Sequence, residues 1–375
     1  MAQERSYFLD NLKWFLIILV VLHHVAITCG GSGDVSFKLP TIDSEIENNI
    51  LSCYTLFQQS FFMGLFFLIS AFFIMPSYSK KGAQMFLIDK LKRLGIPILI
   101  NVLLIEFFYQ QILEYFFDRK DTFINYLGGS IIWNIDNLKK FNIDLGVTWF
   151  TYTLLIFCIL FVLYKKKPHS TNTQSFPSFK NILLFALIMV PLNLFLTILF
   201  QKTSTWNFLG FQQLGFYPTY IVCFIIGIKV QQNKWFDSIN LNNTTPWFLI
   251  ASIITVLEFI VLIFNPLDFI WVHTYGLFVY ASFVTFQTIG FSMFLIYYFK
   301  KFFNKTNPFV EELSKCAYTV FIFHNLVLWL YANLFKSVMT TSPLLNFVLL
   351  GFASVISSFV IAYFIRRLPF LNKIL

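Results

Sequence analysis

About ten stretches of roughly 20 predominantly apolar residues follow one another along the chain, and this pattern leaves few folds available. A helical run of about 20 apolar residues has the length needed to cross the hydrocarbon core of a bilayer. The pattern therefore predicts an all-α integral membrane protein with about ten transmembrane helices. We place these spans near residues 12–29, 55–76, 94–117, 147–164, 181–200, 214–230, 246–265, 277–299, 317–336 and 344–365.

The composition agrees with a lipid environment. Apolar residues make up 57% of the chain and charged residues 12%, against about 45–50% and about 25% in soluble domains. Because apolar runs occupy most of the 375 residues, we expect a single polytopic transmembrane domain over residues 1–375 with no appended soluble domain. The first run could imitate a signal peptide, but it carries two histidines and further spans follow it, so a retained helix is expected.

The basic residues predict the orientation. The net charge of +9 could suggest a nucleic-acid ligand, but Lys and Arg cluster in the short segments between apolar runs. With the N-terminus inside, 20 of the 27 Lys and Arg residues fall in inner segments and 7 in outer loops, as the positive-inside rule requires. Both termini are therefore predicted to be cytoplasmic, in a multi-pass protein of the bacterial inner (cytoplasmic) membrane.

The five cysteines form no C-x-x-C motif, so neither a zinc site nor a disulfide framework is indicated. Cys29 and Cys53 flank one outer loop and could pair there, although small core residues are the simpler expectation. The sequence also contains no evident metal-binding cluster or glycine-rich nucleotide loop. No metal and no bound cofactor are therefore predicted.

Ionisable side chains inside a span are costly, so each one is a functional candidate. Glu106 could orient a histidine or make a structural hydrogen bond, and Glu258 could line a wet cavity or face hydroxyls of a neighbouring helix. The full set is His23, His24, Glu106, Glu258 and His324.

The first span places two of these groups in register with a lysine. The eleven-residue step from Lys13 to His24 turns an ideal helix by three turns plus about 20° and rises about 16.5 Å. Lys13 and His24 thus share one stripe, His23 points about 80° away and Asp10 about 40° to the other side. The stripe joins a cation at the inner interface to an imidazole in the outer half of the membrane, although a snorkelling lysine and a packing histidine would look the same.

A second basic site precedes the third span. Lys90 and Arg93 lie three residues apart, just before Gly95 and Pro97, and we expect them at a helix N-terminus, where free amides favour anions. They could bind a phosphate, or they could be an ordinary positive-inside cluster.

Five strings in order resemble the membrane acyltransferase 3 family, whose members include surface-polysaccharide, peptidoglycan and glucan O-acyltransferases. The resemblance runs from Tyr7 to about Leu368. The strings are YFLDNLKWFLIILVVLHH, FFMGLFFLISAFFIMPSYSKKGAQMFLIDKLKRLGIP, GVTWFTYTLLIF, CFIIGIKV and AYTVFIFHNLVL.

The resemblance assigns candidate roles to several of these residues. The family's basic residue, usually Arg, followed after ten residues by a His corresponds to Lys13 and His24, with Lys as a departure. Its two Arg three apart correspond to Lys90 and Arg93, again with Lys first, and His324 is similar to a late-helix His of many members. A Gly and a Trp-Phe pair that open a span correspond to Gly146, Trp149 and Phe150.

By this resemblance the protein is expected to transfer an acyl group, most simply acetyl, from cytosolic acyl-CoA to a hydroxyl of an extracytoplasmic carbohydrate or cell-envelope glycan. His24 would be the catalytic base, because an alcohol needs one to attack a thioester, with His23, Glu106 and His324 as possible accessory residues. Direct transfer and a transient acyl-enzyme both remain open. The acceptor would be reached by the membrane domain alone or through separate glycan-synthesis proteins.

Two other classes of protein compete with this interpretation. A multi-pass transporter or flippase for a small anionic or glycan-linked substrate would also use a basic inner mouth and buried His and Glu residues. It would be expected to show broken helices in matching halves, and no such internal symmetry is evident in the sequence. A sensor or scaffold would tolerate substitution of His24.

The predicted orientation is testable with single cysteines at Ser170 and Ser204 in a background lacking the native cysteines. An impermeant thiol reagent applied outside should label Ser204→Cys and not Ser170→Cys, because the first lies in a predicted outer loop and the second in an inner one. The reverse labelling would invert the orientation of every span.

Overall fold

The computed structural model is a bundle of long helices. It describes residues 6–33, 38–39, 44–102, 145–164, 173–202, 207–208, 211–212, 214–264, 269–334, 336, 339–369 and 371. The helices up to residue 164 are α1 (Tyr7–Thr28), α2 (Glu45–Phe72), α3 (Ile74–Lys90), α4 (Ile96–Ile100) and α5 (Trp149–Tyr164). Those that follow are α6 (Phe179–Lys202), α7 (Tyr217–Asn233), α8 (Trp235–Ser238), α9 (Leu241–Phe264), α10 (Phe269–Phe302), α11 (Pro308–Leu334) and α12 (Pro343–Ile365).

Short elements connect some of these helices. A π-helical turn lies between α3 and α4, and single 3-10 turns lead into α5 and α7. A two-residue antiparallel strand pair precedes α7. These elements are Leu91–Gly95, Gly146–Thr148, Leu214–Phe216, β1 (Asn207–Phe208) and β2 (Phe211–Gln212).

Eight helices in the described part of the chain are long and apolar enough to cross a membrane. They correspond to the predicted spans one, two, four to seven, nine and ten, which confirms a multi-pass helical membrane protein. The predicted third span continues past Val102, outside the described residues. The predicted eighth lies within α10, whose 34 residues reach about 51 Å, but α10 is not among these eight helices, so the total of ten stays a prediction.

The helix α1 lies at the centre of the bundle. Leu9, Leu12, Leu16, Val21 and Val25 on this helix have no exposed surface, and α1 contacts α2, α10, α11 and α12. The helices α6, α9 and α12 instead expose most of their apolar residues, with only 28%, 22% and 33% of each apolar window buried. This is the arrangement expected when the outer helices face acyl chains and the central one packs on all sides.

A close contact holds α7 against α2. A Cβ at Gly227 would overlap the carbonyl oxygen of Leu68 and the methyl group of Ala71. Small residues allow helix backbones to approach closely in membranes, where dispersion contacts drive helix association. The contact fixes α2 between α1 and α7.

Several helices begin earlier than their predicted spans, and the difference is largest for α2 and α11. The helix α2 starts at Glu45 rather than near residue 55, and Glu47 accepts hydrogen bonds from the Ser342 hydroxyl and the Leu344 amide at the start of α12. The helix α11 starts at Pro308, where the Asn307 side chain accepts a hydrogen bond from the Val310 amide. Polar first turns thus extend both helices beyond the apolar segments.

The prediction that Lys90 and Arg93 stand at a helix N-terminus is wrong. The chain is helical from Ile74 to Ile100 except at Gly82, whose φ of 72° breaks the α-helical path inside α3. The π-helical turn Leu91–Gly95 continues α3 directly. The amides around Arg93 therefore donate within the helix and are not free to bind an anion.

Candidate active site

Two histidines from opposite ends of the sequence meet inside the bundle. The Nδ1 atom of His24 on α1 lies 2.9 Å from the Nε2 atom of His324 on α11. The Nδ1 atom of His324 lies 2.8 Å from the carbonyl oxygen of Phe321. The side chain of His324 has no exposed surface, so this chain of three groups lies within the protein core.

A cavity of about 180 Å³ lies beside the C-terminal part of α1. Four α1 residues line it: Val20, His23, His24 and Ile27. Relative to Val20, an ideal helix places His24 about 40° to one side and His23 about 60° to the other. This arc is as wide as the usual packed stripe of a helix, so both histidines reach one cavity although about 100° separates them.

His23 differs from His24 in its partners. Its ring centroid lies 5.6 Å from that of His24 and 5.1 Å from that of Phe62. Its side chain is buried and its Nδ1 atom has no hydrogen-bond partner among the described residues. The protein therefore orients His24 through a second imidazole, while His23 keeps an unused polar atom beside the cavity.

The rest of the cavity wall combines aromatic rings with a few polar groups. The rings belong to Phe62, Trp149, Phe216 and Phe321, and the polar groups to Ser32, Thr55 and Gln59. Ser32 is exposed and follows the end of α1, so the cavity reaches the surface at the end of α1 that is predicted to face outward.

Two glycines let the chain fold back over this end of α1. Gly30 and Gly33 have φ values of 124° and 144°, which side-chain-bearing residues rarely adopt. The Gly31 amide donates to the carbonyl of Ala26, and the Thr55 hydroxyl donates to the carbonyl of Ser32. These contacts place Ser32 at the cavity rim.

The three residues of the predicted motif at the start of α5 occupy different positions. Gly146 adopts a φ of 47° in the turn before the helix, and Trp149 lines the cavity. Phe150 faces the core, with ring centroids 4.7 Å from Phe67 and 5.7 Å from Phe321. Only the tryptophan of the predicted motif reaches the cavity.

The predicted basic residues lie away from the cavity. The Lys13 ammonium lies 3.4 Å from a carboxylate oxygen of Asp10 and 4.1 Å from the centre of the Phe73 ring. The Ser314 hydroxyl donates to the carbonyl of Asp10. Lys13 is thus held where α1, α11 and the end of α2 meet.

Asp89, which was not predicted as a site residue, lies among the cations of the second basic site. Asp89 lies 2.9 Å from the Lys81 ammonium and 3.5 Å from the Arg93 guanidinium. Partial burial opposes its ionisation, but the Lys81 hydrogen bond and the Arg93 charge hold the pKa of this carboxyl below its usual value. The four-residue spacing of Asp89 and Arg93 could have revealed the pair.

The two basic sites share a neighbour. The Tyr318 hydroxyl donates to the carbonyl of Arg93, one helical turn beyond the Ser314 contact with Asp10. Lys13 and Arg93 therefore lie near the same part of α11, at the end of the bundle opposite the cavity rim. The Lys90 ammonium lies 5.5 Å from the centre of the Phe86 ring.

The remaining predicted groups are elsewhere. Glu258 accepts a hydrogen bond of 2.9 Å from the Gln287 amide, which also donates to the Thr255 hydroxyl. Glu258 therefore joins α9 to α10 through this hydrogen bond, and it does not line the cavity. Glu106 lies outside the described residues. The cysteines, including Cys29 and Cys53, are free and buried.

Long apolar helices around an internal cavity, with imidazoles at its wall, define a membrane-embedded protein with a site suited to acid–base chemistry. A family model for an acyltransferase domain, acyltransferase 3, matches residues 6–363. The chain therefore belongs to the acyltransferase 3 family and is a multi-pass membrane acyltransferase. No curated protein and no solved structure matches it.

The cavity can be tested with two neighbouring cysteines in a background lacking the native ones. Gln59 lines the cavity, while Ser60 is 3% exposed and its hydroxyl donates to the carbonyl of Phe57. A small impermeant thiol reagent applied outside should label Gln59→Cys and leave Ser60→Cys unlabelled. Equal labelling of both, or labelling of Gln59→Cys only from inside, would contradict the cavity or its predicted side.

Proposed function

We propose that this acyltransferase moves an acyl group, most simply acetyl, from cytosolic acyl-CoA to a hydroxyl of an extracytoplasmic carbohydrate or cell-envelope glycan. The observation that supports this most is the position of His24. It lines a cavity that reaches exposed Ser32 at one end of the bundle, and it shares a helix stripe with Lys13 at the other end. One helix thus connects a site for an anion with a site for a base.

The cavity wall suits a sugar. Sugar rings have apolar faces that pack on aromatic side chains, and their hydroxyls need a few well-placed polar partners. Trp149 and Phe62 supply rings at the wall, while Gln59 and Ser32 supply an amide and a hydroxyl. An acceptor entering from the rim would meet these groups before it reaches His24.

The inner end of the bundle suits the phosphates of CoA. Lys13, Lys90 and Arg93 supply cations there, and charge-assisted contacts are the stronger class of hydrogen bond to a phosphate. Asp89 already pairs with Arg93, so a phosphate would compete with that carboxylate. The Arg93 side chain is 65% exposed, which leaves its guanidinium accessible for this exchange.

The chemistry requires a proton acceptor at the cavity. In the proposed step the acceptor oxygen attacks the thioester carbon, its proton moves to His24, a C–O bond forms and the C–S bond breaks. The CoA thiolate leaves and accepts that proton from His24, which returns the imidazole to its neutral form. A neutral imidazole is the side chain best suited to accept and then release a proton near neutral pH.

This role distinguishes the two adjacent histidines. CoA release from labelled acyl-CoA, with transfer of the label to a glycan acceptor, should be lost in His24→Ala, because removal of a general base costs about 10²- to 10⁴-fold in rate. His23→Ala is the matched control and should lose roughly tenfold or less through repacking.

Expression and acyl-CoA binding should be retained in both variants. Equal and severe losses would make the pair a joint site. Near-native transfer by His24→Ala would exclude His24 as the base.

The donor site predicts a separate phenotype. Replacing Lys90 and Arg93 with Gln should weaken acyl-CoA binding at least tenfold, because each charged contact contributes about 1.5–3 kcal/mol. Lys92→Gln, Lys90→Gln and Arg93→Gln each remove one charge from the same segment, and Lys92→Gln should have the smallest effect of the three. Binding of labelled acyl-CoA to protein in liposomes measures these effects. Equal losses for Lys92→Gln and each of the other two single variants would show that the cluster acts only through its net charge.

A further inference from the structure

The hydrogen bonds between His324 and its neighbours restrict where protons can sit. A carbonyl oxygen can only accept, so the 2.8 Å contact between His324 Nδ1 and the Phe321 oxygen requires a proton on Nδ1. A neutral imidazole carries one N–H and one lone pair. The Nε2 atom of His324 is then an acceptor.

The same reasoning extends to His24. Its Nδ1 atom lies 2.9 Å from that acceptor, so Nδ1 must be the donor. The Nε2 atom of a neutral His24 then carries the lone pair. Both rings are neutral at rest in this account, because an isolated charge at membrane depth is costly. The Phe321 carbonyl thus favours, through His324, the form of His24 in which Nε2 can accept a proton.

We propose that His324 is a positioning residue that holds His24 in the Nδ1–H tautomer and so makes His24 Nε2 the base. The inference rests on the proposed function for its catalytic purpose. The backbone carbonyl of Val20 is a second hydrogen-bond partner of the His24 ring. The free histidine side chain in water nevertheless favours the opposite tautomer, with the proton on Nε2, so loss of His324 should raise the fraction of molecules in which Nε2 is blocked. In catalytic histidines, a hydrogen bond to one ring nitrogen commonly determines the protonation of the other.

The hydrogen bond between His24 and His324 also acts during the reaction. When His24 Nε2 takes the acceptor's proton, the ring becomes an imidazolium and its Nδ1–H donates to His324 Nε2. A charge-assisted bond of this kind is stronger than the neutral one. His324 therefore stabilises the intermediate protonation state without touching the substrate. His23 has no equivalent partner on its Nδ1 among the described residues.

The tautomer can be measured without an activity assay. The chain contains five histidines, so a ¹⁵N-histidine spectrum of the protein in lipid bilayers is tractable, and protonated and unprotonated ring nitrogens are well separated. The His24→Ala and His324→Ala spectra assign the pair. We expect an unprotonated Nε2 at His24 in the native protein and a change to Nε2–H in His324→Ala. An Nε2–H signal at His24 in the native protein would overturn the proposal.

The kinetic test uses three further variants. His324→Ala should lower kcat about a hundredfold or more and leave KM for acyl-CoA unchanged. His324→Gln should recover a large part, because its amide oxygen can accept from His24 Nδ1–H. Leu328→Ala, one turn further along α11 and 3% exposed, is the packing control and should keep most activity. In a His24→Ala background, His324→Ala should have no additional effect, because it acts through His24.

The outcomes are separable from those of the proposed function. The proposed function fails if the native protein does not release CoA in the presence of glycan acceptors, and the spectrum still decides the tautomer. If the native protein is active and shows the expected tautomer, an unaffected kcat in His324→Ala would rule out its positioning role. A loss in His324→Ala that Gln does not recover and Leu328→Ala reproduces would reduce it to packing.

Discussion

Lipid offers no hydrogen-bond partner to a polar side chain, so most polar groups at membrane depth require one within the protein. In this bundle that requirement joins helices that are far apart in sequence. The His24–His324 bond joins α1 to α11, and the Gln287 amide joins α10 to Glu258 on α9. Neither pair of helices could slide along the other by a turn without leaving a buried polar group unpaired. The first of these registers holds His24 of α1 and Phe321 of α11 together at the cavity wall.

The central helix α1 carries a lysine near one end and a histidine near the other. A packed α-helix behaves as a stiff rod, so the distance from Lys13 to His24, about 16.5 Å along the axis, changes little when other parts of the bundle move. Between these residues the same stripe carries buried Ile17 and Val20. The cationic end and the imidazole end of α1 are therefore separated by apolar packing.

Much of this architecture is accessible from the sequence because it depends on local pattern. Apolar length predicted most of the helices, and the 3.6-residue period placed Lys13 and His24 on one stripe. The starts of α2 and α11 were misplaced since their polar first turns lie outside the apolar segments. In α2 the acceptor groups of Glu47 meet Ser342, a partner that no local pattern reveals.

The errors at the site have a similar origin. The Gly95–Pro97 sequence favours a helix start, but a π-helical turn carries the helix through it, and such turns have no clear sequence signature. His24 and His324 are 300 residues apart, so their contact depends on how α1 and α11 pack. Gln59 could have been noticed as part of a Gln pair in an apolar run, but only the packing shows which of the two glutamines faces the cavity.

The hydrogen-bonded row of His24, His324 and the Phe321 carbonyl bears on whether protons can cross the membrane through this site. A row of titratable groups that continued to the inner surface would conduct protons and discharge the gradient across the bilayer. Within the described part of the chain, this row stops at the carbonyl oxygen of Phe321, which accepts a hydrogen bond but has no proton to pass on. In the proposed reaction the acceptor's proton moves inward only when an acyl group moves outward, so each turnover is electrically neutral. On the proposed mechanism, the site would work beside an energised membrane without discharging its gradient.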